Sequence, residues 1–383
     1  MGEEGPQPSM GLLVKAGPES ADLTQKLRSL LEEAGEMPVR LSVQHRDGVV
    51  VLATGPTAAR AGDAQAALRI DRDFRRVIQR VAKRPAACVY VDIESLVRMA
   101  GDILGAQGPP AGAMWPAVRE ALGLDGLCNF VWTADFQQRR WVTQAFLELP
   151  PLRRGLAVLF DMPLLEPSAV GTLPGGSRFA TVRRFDVAKI FDQMRLAVGR
   201  VQPDGEEKFD AAVHQISTVL GMDLRADLLG SVGDTWATFV DPPLGGTNQA
   251  GMVLRVGLRD AVKIRNALDR IGVLANGMLA AKSGGDGQPV MRIRQFDRGS
   301  LKVHYLGTPF LSPAWAVHGQ DLYVALYPQV VVAATSDGRG GDVRSLDKDP
   351  KFKAAWQALG VRGASAIAYS DLPPPPEAAT PCS

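Results

Sequence analysis

A chain of 383 residues, 46% hydrophobic and 22% charged, carries enough apolar side chains for a sizeable core and is not globally disordered. Its 43 Lys and Arg nearly cancel 41 Asp and Glu, which argues against a dedicated nucleic-acid binder with basic charge gathered on one face. The length predicts roughly two to three domains, or one large repeated assembly.

Cys88, Cys128 and Cys382 are odd in number and far apart, so they read neither as a disulfide framework nor as a zinc site. No run of about 18 apolar residues occurs, and no transmembrane helix is expected. The first ten residues, MGEEGPQPSM, are acidic and rich in Pro and Gly, the opposite of a signal peptide's basic and then apolar start. As written, the chain lacks a signal peptide and would stay in the cytoplasm.

In chain order, Gly11–Ala16 reads as a strand leading to a helix with Leu23, Leu27, Leu30 and Leu31 on one face. A hairpin follows, Val39–Val43 and Val49–Ala53, turning at Arg46-Asp47-Gly48, where Asp-Gly suits a tight turn. Asp71-Arg72-Asp73-Phe74 opens a helix with Phe74, Val77, Ile78 and Val81 inward. The strand Cys88–Val91 meets Asp92, and a helix carries Ile93, Leu96, Val97 and Ala100 on its core face. Next come a hairpin, Asn129–Ala134 with Trp141–Leu147, and a strand, Phe179–Phe185, running through Asp186 into a helix with Val187, Ile190, Phe191 and Met194. A long helix spans about Glu206–Leu220, with Gly221 as its C-cap. Met252–Leu258 passes through Asp260 to a helix with Ala261, Ile264 and Leu268, followed by inserted strands. Ala314–Val317 and Leu322–Leu326 form another hairpin, Asp347 to Phe352 opens a helix, and Ala364–Tyr369 is the last strand.

The order recurs. Phe74 precedes Tyr90, and Phe352 precedes Tyr369, at separations that differ by a single residue, and both tyrosines sit two residues before an Asp, Asp92 and Asp371. This predicts a duplication in which about residues 11–92 and 252–371 superpose with one strand order, apart from an insertion near 275–312. The fold class is α+β, with duplicated strand–helix–hairpin units forming mixed or antiparallel sheets covered by helices. The expected organisation is a first repeat unit at 1–104, a central α+β segment at 105–250, a second repeat unit at 251–372 and a Pro-rich disordered tail at 373–383. Pro373 to Pro376 lack donors and lock φ, so the helix that follows Asp92 has no counterpart after Asp371. The pattern therefore suggests a copy cut short at its C-terminus, with Met1 as an internal start in a longer exported protein.

Three segments carry a resemblance: GMDLRADLLGSVGDTWATFVDPP at 221–243, GLDGLCNF at 123–130 and SLDKDPKF at 345–352. In this order they resemble a large uncharacterised family of bacterial proteins known only as a domain of unknown function, over most of residues 40–372. The resemblance implies export to the cell envelope and brings no known activity, cofactor or catalytic residue. This chain departs from the family in lacking the leader.

No catalytic, cofactor-binding or metal site is assigned. His45, His214, His304 and His318 are scattered without ligand spacing. Asp92, Asp186 and Asp260 fall where a helix N-cap is needed, and each is expected to accept a backbone N–H. The pairs Asp71/Asp73 and Asp347/Asp349 also precede helices and read as caps. The GGDG and GRGG clusters lack the Lys-Ser/Thr of a phosphate loop. Arg69, Arg72, Arg75, Arg76, Arg80, Lys83 and Arg84 are the densest charge feature. They read as a solvated helix face, and Arg72, Arg75, Arg76 and Arg80 also suit a weak anionic partner. The reading is a non-enzymatic cell-envelope protein with a binding or structural role. One alternative is an enzyme, hydrolytic for example, with a site built from distant loops; the other is a small-molecule or lipid carrier.

Overall fold

The computed structural model describes residues 11–15, 17–33, 41–46, 48–54, 72–81, 86–108, 111–137, 140–149, 151–165, 167–245, 249–282, 291–308, 310–335, 345–359 and 364–371. The chain divides into two compact units, Met1–Val158 and Leu159–Ser383. The expected boundaries fall elsewhere, and hydrogen bonding explains the difference. A cut at 104/105 would break the helix Ile93–Ala106, and one at 250/251 would part the paired strands Val232–Val240 and Met252–Leu258. The tail at 373–383 lies outside the described residues.

The first unit holds β1 (Gly11–Lys15), α1 (Ser20–Glu33), β2 (Leu41–Arg46), β3 (Val49–Thr54), α2 (Arg72–Val81), β4 (Ala87–Asp92), α3 (Ile93–Ala106), α4 (Ala111–Leu122), β5 (Asn129–Gln137) and β6 (Arg140–Leu147). The sheet order is β2-β3-β1-β4-β5-β6, every pair antiparallel. Helix α2 turns Val77, fully buried, onto the sheet, with Phe74, Ile78 and Val81 half-buried beside it. Arg72, Arg75 and Arg80 face out, as a 3.6-residue period requires of the opposite side. The sequence reading had no counterpart for α4, which carries Pro116 inside it. Its Trp115 lies so close to Gly101 of α3 that a Cβ there would come within 2.8 Å of the indole nitrogen.

The second unit holds β7 (Phe179–Arg184), α5 (Val187–Val201), α6 (Gly205–Leu220), β8 (Val232–Val240), β9 (Met252–Leu258), α7 (Ala261–Lys282), β10 (Arg292–Arg298), β11 (Leu301–Gly307), β12 (Ala314–His318), β13 (Asp321–Ala325), α8 (Pro328–Thr335), α9 (Pro350–Leu359) and β14 (Ala366–Ser370). These strands form one antiparallel sheet in the order β10-β11-β12-β13-β9-β8-β7-β14. Its main core lies on one face, where Val182, Phe239, Val253 and Val303 meet Val330 and Val331 of α8 and Phe352 of α9. Burying a side chain of this size contributes about 1.5–3 kcal/mol. The opposite face carries a smaller cluster of Leu258, Ala261 and Ile264, with Leu268, Val317 and Leu322 packed against it. Gly221 closes α6 with φ +63, the left-handed conformation that glycine enters without a Cβ clash, and Arg270 donates to its carbonyl.

The two regions read as repeats agree in part. Strands β2-β3-β1 and β12-β13-β9 have the same order, each a hairpin lying beside the strand that precedes it in the chain. They separate at the next strand: β4 pairs directly with β1, whereas β8 and β7 lie between β9 and β14. One strand order throughout both regions is thus not met, because β14 adds to the outer edge of β7. The α+β class stands, with all pairings antiparallel.

Candidate functional site

The aspartates at strand–helix junctions are helix caps. Asp92 Oδ1 accepts the Ser95 N–H at 3.0 Å, Asp186 Oδ1 that of Lys189 at 3.0 Å, and Asp260 Oδ1 those of Val262 and Lys263, each at 3.0 Å. Burial works to raise the pKa of Asp186, but the Lys189 N–H and the Arg259 guanidinium outweigh it and hold it below the ordinary carboxylate value. Asp349 caps α9 through Lys351 and Phe352, and Asp223 caps the π-helical turn Leu224–Leu228 through Ala226. Asp73 departs from the capping expectation: it lies inside α2 and pairs with Arg76 at 3.0 Å. Asp71 and both glycine clusters lie outside the described residues. Among the described residues, no three His, Cys, Asp or Glu side chains are placed to share a metal ion.

Two of the four histidines meet where sequence spacing gave no sign of it. Strands β11 and β12 pair so that His304 stands opposite Trp315. The alternation of a strand sends Val303 and Tyr305 into the main core and His304 with Lys302 to the other face. There α7 passes over them, held at both ends. Asp260 and buried Ile264 fix its start, and near its end the Asn276 side chain donates to the Ile293 carbonyl at 2.9 Å and accepts the Ile293 N–H at 2.7 Å. Arg265 and Asp269, one turn apart on α7, face a cavity of about 530 Å³ that is also lined by His304, Trp315 and His318. His45 and His214 are exposed and take no part.

The His304 and Trp315 rings stack within 6° of parallel, their centroids 5.9 Å apart. His304 Nε2 lies 3.4 Å from Asp269 Oδ1, long for a hydrogen bond, and Lys302 Nζ lies 4.0 Å from Asp269 Oδ2. Burial lowers the pKa of His304 below 6.5, and the Asp269 carboxylate opposes this without overcoming it. The imidazole is therefore neutral at pH 7. Trp315 Nε1 is buried and has no acceptor among the described residues, an orphan donor costing about 1–3 kcal/mol. A flat aromatic wall and two cations suit an anion with a planar or compact body. Ser300 lines the same cavity but makes no hydrogen bond to His304 among the described residues.

On the main-core face, Arg184 pairs with Asp234 at 2.7 Å and Arg255 with Asp321 at 2.7 Å, all four partly buried beside a smaller cavity of about 280 Å³. The sequence reading did not pick out these pairs, because partners on neighbouring strands are distant in the chain. On α2, Arg76 reaches Glu148 at 2.9 Å and is drawn away from the solvated row of Arg72, Arg75 and Arg80. No described helix is long and apolar enough to cross a membrane. No protein-family model matches the chain, and neither a curated protein nor a solved structure is significantly similar to it.

Proposed function

We propose that the chain works by binding rather than catalysis, and that the cavity under α7 takes a small anionic ligand. The stacked His304 and Trp315 rings on the wall of a cavity that Arg265 and Lys302 also line carry this reading. The volume falls inside the range of about 300–1,000 Å³ usual for small-molecule sites. A cell-envelope setting follows from the sequence resemblance alone, and the basic face of α2 remains a weaker anionic surface whose binding weakens with salt.

The test is a titration of His304 by NMR against a panel of mono-, di- and tricarboxylates and inorganic phosphate. In the free protein its midpoint lies below 6.5. A bound anion stabilises the imidazolium, so the midpoint rises and affinity increases as the pH falls towards it. Arg265→Glu and Lys302→Glu should each abolish the shift. A midpoint unmoved by every anion at millimolar concentration overturns the proposal. Asp269, His304 and Ser300 in one cavity favour a second, hydrolytic reading. Turnover of an activated ester that is lost in both Ser300→Ala and His304→Ala would support that alternative.

A further inference from the structure

We infer that the outer edge of β10 is a docking strand for an extended acidic peptide of alternating character, with carboxylates two residues either side of an apolar anchor. Among the described residues, strand β10 ends the sheet and pairs on one side only, with β11. Its pairing partners put Arg292, Arg294, Phe296 and Arg298 on the main-core face, opposite Gly307, Tyr305, Val303 and Leu301. All four are exposed, and none of the three arginines has an ion pair or hydrogen bond among the described residues. On the same face of the sheet, Arg184 and Arg255 are matched by aspartates on neighbouring strands. Unmatched charge repeated at alternate positions of a free edge is a pattern that self-pairing does not explain.

The backbone supplies the second half of the argument. Asn276 takes both the N–H and the carbonyl of Ile293, so these groups point away from β11. In an antiparallel ladder this orientation alternates, and the N–H and C=O of Gln295 and Asp297 face the same open side. The Asn276 amide thus covers the start of the edge as a stub of strand would. The rest is open to pairing among the described residues. Beside it, Phe296, Pro328, Val332 and Ala333 border a groove of about 450 Å³, with Arg298 and Gln329 at its rim. A strand added at Gln295 and Asp297 sends alternate side chains to this face about 6.8 Å apart. An acidic residue then meets Arg294, an apolar one enters the groove over Phe296, and an acidic one meets Arg298. Strand addition provides the affinity and these three positions the choice of sequence.

The experiment is fluorescence anisotropy on the full chain with a labelled ten-residue peptide alternating Thr with Glu, Leu and Glu. Comparators are a scrambled peptide of the same composition, one N-methylated at the Thr positions, a single-stranded oligonucleotide and anionic phospholipid vesicles. Binding should fall at least about tenfold for the scrambled and N-methylated peptides, and equally for the double variant Arg294→Glu/Arg298→Glu. Both positions are solvent-exposed, and circular dichroism confirms that the variant keeps its fold. Equal binding of the scrambled peptide would reduce the edge to a diffuse charge effect and overturn the inference. So would loss of the labelled peptide to the oligonucleotide or vesicles at lower concentration than to unlabelled peptide, or no binding at all.

Discussion

Phe74 with Tyr90 in the first unit, and Phe352 with Tyr369 in the second, make the same aromatic joint. The rings meet edge to face with centroids 5.2 and 5.5 Å apart, each pinning a ten-residue helix to the strand that follows it. The strands are placed differently. β4 lies inside its sheet between β1 and β5, whereas β14 is an edge that pairs, among the described residues, only with β7. Around the interior joint a polar chain has grown: Tyr90 donates to buried Asn129 Oδ1 at 2.7 Å, Asn129 donates to Glu148 at 2.8 Å, and Arg76 donates to Glu148. At the edge joint, Tyr369 makes no hydrogen bond among the described residues, and an exposed Lys351–Asp371 pair at 2.7 Å sits alongside. A local helix-to-strand contact can be repeated while its polar surroundings follow the sheet position.

The largest expected effect separates the joints by burial. Phe352 is buried in the main core, so Phe352→Ala should cost about 3–5 kcal/mol in urea unfolding, and Phe74→Ala, half-buried, distinctly less. Equal losses would break the contrast between them. Next comes the polar chain: Asn129→Leu removes the bonds to the Tyr90 hydroxyl and to Glu148 and should cost about 1–3 kcal/mol. Tyr90→Phe should destabilise while Tyr369→Phe leaves the urea midpoint nearly unchanged, and the reverse order would show that the hydrogen-bonded chain is incidental.

The aspartate two residues beyond each tyrosine sharpens the comparison. Asp92→Ala removes a cap and should cost about 0.5–2 kcal/mol, independent of salt, as helical signal is lost near α3. Asp371→Ala loses only an exposed ion pair, and any change should vanish in molar salt. The smallest effect is a titration. Burial first, then the Asp371 and Asp349 carboxylates, raise the Tyr369 pKa above its ordinary value of 10.0. The folded state thus holds the neutral phenol, so the associated stability is present below pH 10 and is lost as the pH rises through the folded value. Phenolate absorbance of the wild type minus that of Tyr369→Phe should show a midpoint above 10.0, and an ordinary midpoint would place the ring in water.

Much of the local structure was legible before any coordinates. Asp92, Asp186 and Asp260 are legible as caps from their place between an apolar strand and an amphipathic helix, whereas the Phe-to-Tyr separations show a recurring order and not that the rings meet. Such features depend on neighbours within a few turns of chain, whose geometry a 3.6- or two-residue period already specifies. Helix α4 is not legible because Pro116 and Gly112 interrupt its period, and the need for Gly112 lies in how closely α3 approaches: a Cβ there would come within 3.1 Å of the Gly105 Cα. The cavity was not legible either. His304, Trp315 and Asp269 come from separate elements, and nothing in their spacing signals that one strand register and one helix crossing bring them together. By itself the sequence determined the α+β class, the caps at Asp92, Asp186 and Asp260 and the inward face of α2, but it placed Leu30, Leu96 and Met194 on core faces, and all three are exposed. The tertiary structure alone decided that β14 closes on β7, that an imidazole stacks on an indole beneath α7, and that β10 has no partner beyond β11 among the described residues. Strand order and register are set by which distant surfaces bury the most apolar area while pairing their backbones, and no local period carries that information.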